Sequence, residues 1–492
     1  MRLVSAVLFV LILLPSLLMS AEIRALWVMP WDITSADKID EMIEDALAAG
    51  QTDLFIEVRY RADALYTQNR KDDTFPNPEP RSYILADDGF DPLEYTIDKA
   101  KPHRLRVHAW VVVFNATPTL PSLVEINHIF RNHYDWITFD NNRRRMTNVE
   151  QFGYFIDPGI PSVQDYVLNV LCDIVNGYPE LDGLHLDYIR YPDASLGYHP
   201  ISVERYNNHR VQYGHLTWNQ WRTQLITEFM QRTYLAIKQI NPSIIVSAAV
   251  IANYRDATIA YAQDWRDWLQ KGIVDCLYPM AYHLKMSEFT KQLEFMKSLE
   301  QDSRIVVGLR AWDANGGSLM PFRFNSSQRY SVLDLVPRIA LIRKMEFAGI
   351  ALFSYSGIVK GGALRYLSSL CYTPEILAAV DASSNAFNID VSPEDLPQYF
   401  AAQISGNASS VHYQLELCLP YEDSWVWELW TYGEKLLFRR KRYYPQGNVT
   451  DLWDGMVDGA QIEAGTYILR VYPEEGGYQY YIPVVLTGLS SI

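Results

Sequence analysis

Residues 181–192 read Leu181-Asp182-Gly183-Leu184-His185-Leu186-Asp187-Tyr188-Ile189-Arg190-Tyr191-Pro192, a short apolar segment that ends in a carboxylate. Because side chains alternate along a β-strand, Gly183, His185 and Asp187 share one face of this segment, and the two leucines between them share the other. Segments with apolar residues at three- and four-residue spacing, typical of amphipathic helices, lie on both sides. This alternation of strand and helix predicts a parallel sheet.

The alternation occurs eight times, which predicts a closed (β/α)8 TIM barrel. The predicted strands are Ile23–Met29, Leu54–Tyr60, Leu105–Val113, Gly183–Asp187, Ile244–Ala249, Ile273–Tyr278, Ile305–Leu309 and Ile350–Ser354. The helical patterns between them include Ala36–Ala49, Ser162–Asn176, Trp218–Ile240, Tyr261–Lys271 and Ser331–Phe347. In such a barrel Asp187 points to the axis at the carboxyl-terminal rim, where substrates bind in this fold.

The composition also divides the chain into segments. Residues 1–21 combine Arg2, a long apolar run and the small pair Ser20-Ala21; this pattern predicts a signal peptide and an exported protein, periplasmic or secreted. We assign residues 22–375 to the barrel, 376–393 to a linker and 394–492 to a small all-β sandwich, because short alternating strands follow a polar stretch. No segment of the mature chain has the ~20 apolar residues of a membrane span.

The net charge of −15 disfavours a nucleic-acid partner, because phosphate contacts need clustered lysine and arginine. Arg439-Arg440-Lys441-Arg442 is a local exception, which we interpret as a solvated strand edge or turn, with a nucleic-acid patch as the alternative. The cysteines are scattered without CxxC spacing, which favours buried thiols over a disulfide framework and predicts neither a metal nor another cofactor: Cys172, Cys276, Cys371 and Cys418.

Motifs in order along the barrel resemble the glycosyl hydrolase-like 10 family of exported bacterial TIM barrels. They are Glu22-Ile23-Arg24-Ala25-Leu26-Trp27, Phe55-Ile56-Glu57-Val58-Arg59, Ala62-Asp63-Ala64-Leu65-Tyr66, Val107-His108-Ala109-Trp110, Asp157-Pro158-Gly159, the Asp187 segment and Tyr278-Pro279-Met280-Ala281-Tyr282. The resemblance implies glycoside hydrolase chemistry on a bacterial or environmental polysaccharide, with peptidoglycan-type glycans among the substrates. At Glu57 the chain departs from the family, in which many members have glutamine.

Two shorter stretches carry further resemblances. The Asp187 segment is similar to the family 18 chitinase signature, but Ile189 occupies the position of the catalytic glutamate, so that mechanism does not transfer. The stretch from Trp453 to Val471 resembles the immunoglobulin-like repeat of flagellar hook-capping proteins. The second resemblance implies an immunoglobulin-like sandwich and no function.

Glycosidic hydrolysis ordinarily uses two carboxyl groups. Asp187 is expected to supply one and Glu57 the other, because strand alternation places Glu57 and Arg59 on one face at the barrel top. The structural alternatives are ion pairs of Glu57 with Arg59 or Arg24, and of Asp187 with Arg190 or Arg59. Further candidates for the second acid are Asp256, His283 and Asp313.

Substrate contacts are expected from polar and aromatic side chains near strand ends, because pyranose rings stack on aromatic rings. The predicted binding residues are Arg59, Trp31, Trp110, His108, His185, Tyr188, Arg190, Tyr282, His283, Arg310, Trp312, Asp313 and Tyr355. Core packing is the alternative role for Trp27 and Trp110. We therefore predict a glycoside hydrolase with a polysaccharide or oligosaccharide substrate. The alternatives are a non-catalytic glycan-binding envelope protein and a carbohydrate esterase or lyase, although no GxSxG elbow supports an esterase.

Overall fold

The central feature of the computed structural model is a closed barrel of eight parallel strands. The structure describes residues 22–86, 89–118, 120–147, 153–214, 216–313, 317–321, 330–372, 401–405, 412–419, 423–431, 435–445, 447–474 and 480–486. The predicted signal peptide and the predicted linker, with its boundaries, lie outside these residues. Within the described ranges, no helix is long and apolar enough to cross a bilayer.

The eight predicted strands all have observed counterparts. They are β1 Ile23–Val28, β2 Asp53–Arg59, β3 Arg106–Val112, β4 Gly183–Asp187, β5 Ile245–Ile251, β6 Cys276–Met280, β7 Val306–Arg310 and β8 Gly349–Phe353. The barrel closes where β1 pairs with β8, from Ile23 opposite Gly349 to Trp27 opposite Phe353. The predicted (β/α)8 fold is confirmed, and the largest difference is at β6, which begins at Cys276 rather than Ile273.

Helices follow or precede each strand on the outside of the barrel. They are α1 Ala36–Ala48, α2 Pro92–Ala100, α3 Ile129–Asn132, α4 Pro161–Gly177, α5 Pro200–Tyr213, α6 Trp218–Ile240, α7 Tyr254–Ile259, α8 Trp265–Lys271, α9 Met286–Lys297, α10 Val332–Lys344, α11 Tyr355–Ile358 and α12 Ala363–Cys371. The predicted helix Tyr261–Lys271 is shorter in the structure, because Asp264 accepts the amide of Asp267 and caps a helix that begins at Trp265. The long connections after β3 and β4 rise over the carboxyl-terminal mouth of the barrel.

Strand alternation separates two apolar layers. Outward residues such as Leu184 and Leu186 join the large core under the helices, whereas Trp27, Phe55 and Tyr278 fill the barrel interior. At Gly183 a β-carbon would lie 1.9 Å from Nδ1 of His108, so only glycine allows that ring to cross the interior. The interior below Asp187 is therefore a packed core, and the mouth is the place where a ligand can enter.

Two antiparallel sheets form the C-terminal region. Their strands are β9 Ala401–Ser405, β10 Tyr413–Leu419, β11 Asp423–Trp430, β12 Leu436–Tyr444, β13 Gly447–Trp453, β16 Gly465–Pro473 and β17 Tyr480–Leu486, with the small pair β14 Met456–Val457 and β15 Ala460–Gln461 between them. The orders are β13-β10-β9 and β12-β11-β16-β17. Both sheets contribute to one core, in which Trp427 and Trp453 lie 6.1 Å apart between ring centroids. Within the four-stranded sheet β16 is an inner strand, flanked by β11 and β17.

The basic run lies on β12, which is an edge strand as predicted. Arg440 and Arg442 both pair with Asp451 at 3.1 Å, and Lys441 pairs with Glu474. Acidic side chains on or directly after other strands therefore balance most of this local positive charge. Three of the predicted thiols, Cys172, Cys276 and Cys371, are buried and free, as expected.

Candidate active site

Asp187 ends β4 at the barrel mouth and is almost completely buried. Its Oδ1 accepts hydrogen bonds from the amide of Tyr188 at 2.6 Å and from Nη1 of Arg190 at 3.1 Å. Tyr188 adopts a left-handed backbone with φ of 53°, an unfavourable conformation for an aromatic residue. This turn brings the Arg190 guanidinium back over the Tyr188 ring, 4.1 Å from its centroid. The structure thus brings Asp187, Tyr188 and Arg190 together. Of the two ion pairs predicted as alternatives for Asp187, the one with Arg190 forms.

Glu57 projects into the barrel interior from β2 and has an exposed fraction of 3%. Its Oε2 has no hydrogen-bond partner among the described residues. Burial raises the pKa of Glu57 well above its ordinary value; the charge of Arg61 opposes this shift, while the charges of Asp187 and Asp63 add to it. A carboxyl group in such surroundings retains its proton at a pH where an exposed glutamate has lost it.

Arg59 does not share the face of Glu57, and this prediction is wrong. A β-bulge at Val58 interrupts the alternation, because Glu57 lies opposite Trp110 while Arg59 lies opposite Val111. The bulge turns Arg59 toward Glu79, whose two carboxylate oxygens accept from its Nε at 3.0 and 2.8 Å. Its guanidinium also donates to the carbonyl oxygens of Val112 and Val113.

These contacts leave Arg59 fully buried, with its guanidinium bonded to Glu79 and to two backbone carbonyl oxygens. Arg24, the other predicted partner of Glu57, instead donates to the carbonyl oxygen of Gly50 and pairs with Glu22 at 3.7 Å. Neither predicted ion pair of Glu57 therefore forms. The carboxyl group of Glu57 remains free of a bidentate arginine and can carry a proton.

Aromatic rings surround the mouth above the two acids. Tyr282 lies 5.1 Å from Trp312 and 6.0 Å from Phe353 between ring centroids. Burial raises the pKa of Tyr282 well above its ordinary value, and the charge of Asp187 adds to this shift. Trp110 is buried, and its Nε1 has no partner among the described residues. Trp31 is 47% exposed and donates to Oγ of Ser356 at 3.4 Å.

The structure places three other predicted binding residues away from the mouth. His108 lies one layer down, with Nε2 2.8 Å from Oδ1 of Asp53. His185 accepts from Nε1 of Trp27 at 3.1 Å and stacks on Phe55. Tyr355 donates to Asp45 of α1 at 3.0 Å. The two histidines belong to the barrel interior and Tyr355 to the core under the helices, so the structure does not bring these three predicted residues to the mouth.

The four loop candidates have structural contacts of their own. Arg310 stacks on Trp312 and donates to the carbonyl oxygens of Trp312 and Asp313, which fixes the loop after β7. Asp313 is buried and accepts the amide of Tyr330 at 3.1 Å. His283 is exposed and accepts the amide of Lys285 before α9. Asp256 lies exposed in the first turn of α7.

Three mouth residues were missed by the sequence analysis: Asp32, Arg61 and Asp63. Burial raises the pKa of Asp63 well above its ordinary value and also raises the pKa of Asp32. Arg61 has a left-handed backbone with φ of 61° and a buried Nη1 without a partner in the described part of the chain. All three directly follow β1 or β2, so the rule that selected Asp187 at the end of β4 applies to them as well.

The closed (β/α)8 barrel carries an ion-paired aspartate, a glutamate of raised pKa and aromatic rings at its carboxyl-terminal mouth. This arrangement is that of a glycoside hydrolase-type barrel. Within the described ranges, no group of three or more histidine, cysteine or acidic residues is arranged to hold a metal ion. Residues 22–312 match the family Glycosyl hydrolase-like 10, and the chain belongs to this family.

Part of the chain is also similar to curated bacterial proteins that are named glycosyl hydrolases. Glycosyl hydrolase DigH of Escherichia coli (strain K12) is 24% identical over 220 residues, which are 39% of this chain and 46% of that protein. Glycosyl hydrolase YngK of Bacillus subtilis (strain 168) is 22% identical over 295 residues, 53% of this chain and 54% of that protein. The chain thus spans about half the length of the curated relatives it matches.

Among solved structures, the catalytic domain of β-amylase from Paenibacillus polymyxa aligns with a TM-score of 0.46 and 10% sequence identity. The alignment covers 71% of this chain and 97% of that one. An endo-β-1,4-mannanase from Thermotoga petrophila aligns with a TM-score of 0.45 and 9% identity, over 96% of this chain and 99% of that one.

Proposed function

We propose that this protein is an exported glycoside hydrolase that cleaves a bacterial or environmental polysaccharide, with peptidoglycan-type glycans among its substrates. The observation that carries the proposal is the contrast between two carboxyl groups at one barrel mouth. Asp187 is ion-paired with Arg190, whereas Glu57 is buried with one oxygen unbonded and a raised pKa. Such a contrast supports one charged and one protonated carboxyl group, as glycosidic hydrolysis requires.

In the proposed reaction, Glu57 donates its proton to the glycosidic oxygen as the bond to the leaving sugar breaks. Asp187 stabilises the positive charge that develops at the anomeric carbon, either by attacking that carbon or by activating a water molecule. Tyr282 and Trp312 offer ring faces for the sugars on either side of the bond. The buried Ile189 offers no acid at the chitinase position, so a substrate-assisted mechanism gains no support.

The test is the release of new reducing ends from a panel of purified glycans: peptidoglycan, chitin, β-glucan, mannan and uronate-containing polymers. Turnover of at least one glycan by the wild-type protein, absent from the Asp187→Asn variant, is the expected result. No release from any glycan, with retention of the protein on one of them, would favour the alternative of a non-catalytic glycan-binding protein. The ion pair of Asp187 with Arg190 is the observation that favours this alternative, because it engages the carboxylate.

A further inference from the structure

A groove lies beside Asp187 at the barrel mouth, between the connections that follow β3, β4 and β5, and its lining includes Tyr188 and Arg190, which both bond to Asp187. Its volume is about 630 Å³, which lies within the range of ligand sites in proteins. Arg190 and Tyr188 form its inner end beside Asp187, and Tyr261 and Arg145 form its walls. The groove is therefore continuous with the proposed active site.

Arg145 packs against two aromatic rings in this groove. Its guanidinium carbon lies 4.6 Å from the ring centroid of Tyr134 and 5.2 Å from that of Phe139. Its Nε is buried, and within the described part of the chain Arg145 has neither a hydrogen-bond partner for this atom nor an ion pair with an acid. The neighbouring Arg144 differs, because it is exposed and pairs with Asp140 at 2.9 Å.

The acids of the groove are engaged by other groups. Asp140 accepts the amides of Asn142 and Arg144 in addition to its ion pair. Asp193 accepts the amide and the hydroxyl of Ser195 at 2.6 and 2.7 Å. Neither carboxylate bonds to Arg145, which leaves a partly buried cation without an anionic partner among the residues that the structure describes.

We infer that this groove is a subsite for an acidic sugar, in which Arg145 binds the carboxylate and Tyr188 and Tyr261 contact the ring. A guanidinium offers two parallel N–H groups that match a carboxylate, and the stacked rings fix the orientation of the fork before the ligand arrives. The net charge of −15 repels anions at long range, so the preference for an acidic sugar is a local one. This inference rests on the proposed function, because it extends the same substrate site.

The test compares acidic glycans with their carboxyl-reduced, neutral forms: peptidoglycan strands, hyaluronan and polygalacturonate. Binding is measured by affinity electrophoresis in the full-length Asp187→Asn background, and KM and kcat are measured in the wild-type background. Arg145→Gln is expected to weaken binding of the preferred acidic glycan by about tenfold to a hundredfold, the value of a charge-assisted hydrogen bond. It should leave binding of the reduced form unchanged.

The matched control is Arg143→Gln, which removes the same charge two residues away, at an exposed side chain that does not line the groove, and should change binding less than about threefold. Arg145→Lys should restore part of the affinity, and thermal unfolding should show that each variant is folded. Equal losses on the acidic and the reduced glycan, or no loss with Arg145→Gln, would overturn the acidic subsite. Binding that depends on Arg145 without any cleavage by the wild type would overturn the proposed function and leave the subsite intact.

Discussion

Asp187 and Glu57 lie at one barrel mouth, yet opposite surroundings act on their carboxyl groups. Asp187 receives an N–H from the peptide backbone and another from a guanidinium, both of which stabilise a negative charge. Glu57 is surrounded by barrel interior, and the nearby charges of Asp187 and Asp63 add to the cost of ionising it. At the scale of single residues, function therefore depends on which neighbours each acid has.

The first residue-scale prediction concerns Asp187→Asn, which keeps the shape of the side chain and removes its charge. Turnover should fall by about a thousandfold, because the developing charge at the anomeric carbon loses its stabilising group. Loss of the ion pair with Arg190 should lower the free energy of unfolding by only about 1–2 kcal/mol, since asparagine still accepts the Tyr188 amide. Reducing-end assays and thermal unfolding measure both effects, and a variant with half the wild-type activity would contradict the role of Asp187.

The second residue-scale prediction concerns the proton of Glu57. Glu57→Gln should lower turnover of a natural glycan by about a hundredfold or more, because glutamine cannot protonate the leaving oxygen. Turnover should return with an aryl glycoside whose leaving group needs no proton. If turnover of the natural glycan survives the substitution, Glu57 binds substrate only, and Asp32 or Asp63 becomes the candidate acid.

The raised pKa of Glu57 also predicts how stability depends on pH. The folded protein holds this proton above pH 4.5, the ordinary pKa, where the unfolded chain releases it. The contribution of Glu57 to stability is therefore complete at low pH and declines as pH rises through the folded-state pKa. Glu57→Gln removes this decline, so its thermal midpoint relative to wild type should increase from pH 4 to pH 8. A difference that stays constant across this range would contradict the raised pKa.

At the scale of elements, the bulge in β2 shows what the sequence could and could not predict. The eight strands followed from apolar segments, and the inward face of β4 followed from simple alternation. Alternation failed at Arg59, because one extra residue at Val58 reverses the face of every residue that follows it. The reversal follows from pairing with β3 and from the contact with Glu79, 20 residues further along the chain, and neither is visible in the local sequence. The expected position of Tyr355 at the mouth also rested on its place after a strand. A helix begins directly after β8, however, and the Tyr355 side chain contacts Asp45 of α1 instead.

The ion pair of Arg59 with Glu79 gives the element-scale prediction. Both side chains have no exposed surface, so Glu79→Gln leaves a buried arginine without its anion. The free energy of unfolding should fall by about 3–5 kcal/mol. Glu94→Gln is the matched control, because its pair with Arg70 is substantially exposed, and it should cost less than about 1 kcal/mol. Denaturant unfolding of both variants measures the difference, and equal losses would mean that the Arg59 pair does not stabilise the bulge.

At the scale of the whole molecule, the described residues contain two separate kinds of core. The barrel core ends with α12, in which Leu364, Leu367 and Cys371 are buried against the rest of the barrel. The sandwich core is formed by its own residues, including Trp425, Trp427 and Trp453. No residue belongs to both clusters in the described ranges, as expected for two units that fold around their own centres.

A protein truncated after Ala379 should therefore fold and retain activity on soluble oligosaccharides, because every described barrel element precedes that residue. Its thermal unfolding should remain cooperative, and kcat should stay within about twofold of the full-length value because the truncation leaves Asp187 and Glu57 in place. A second truncation after Gly362, which removes α12, is the control and should fail to fold, since it exposes the apolar surface that Leu364 and Leu367 cover. If the longer truncation is insoluble while the full-length chain is soluble, the barrel depends on the sandwich, and the two cores are not independent.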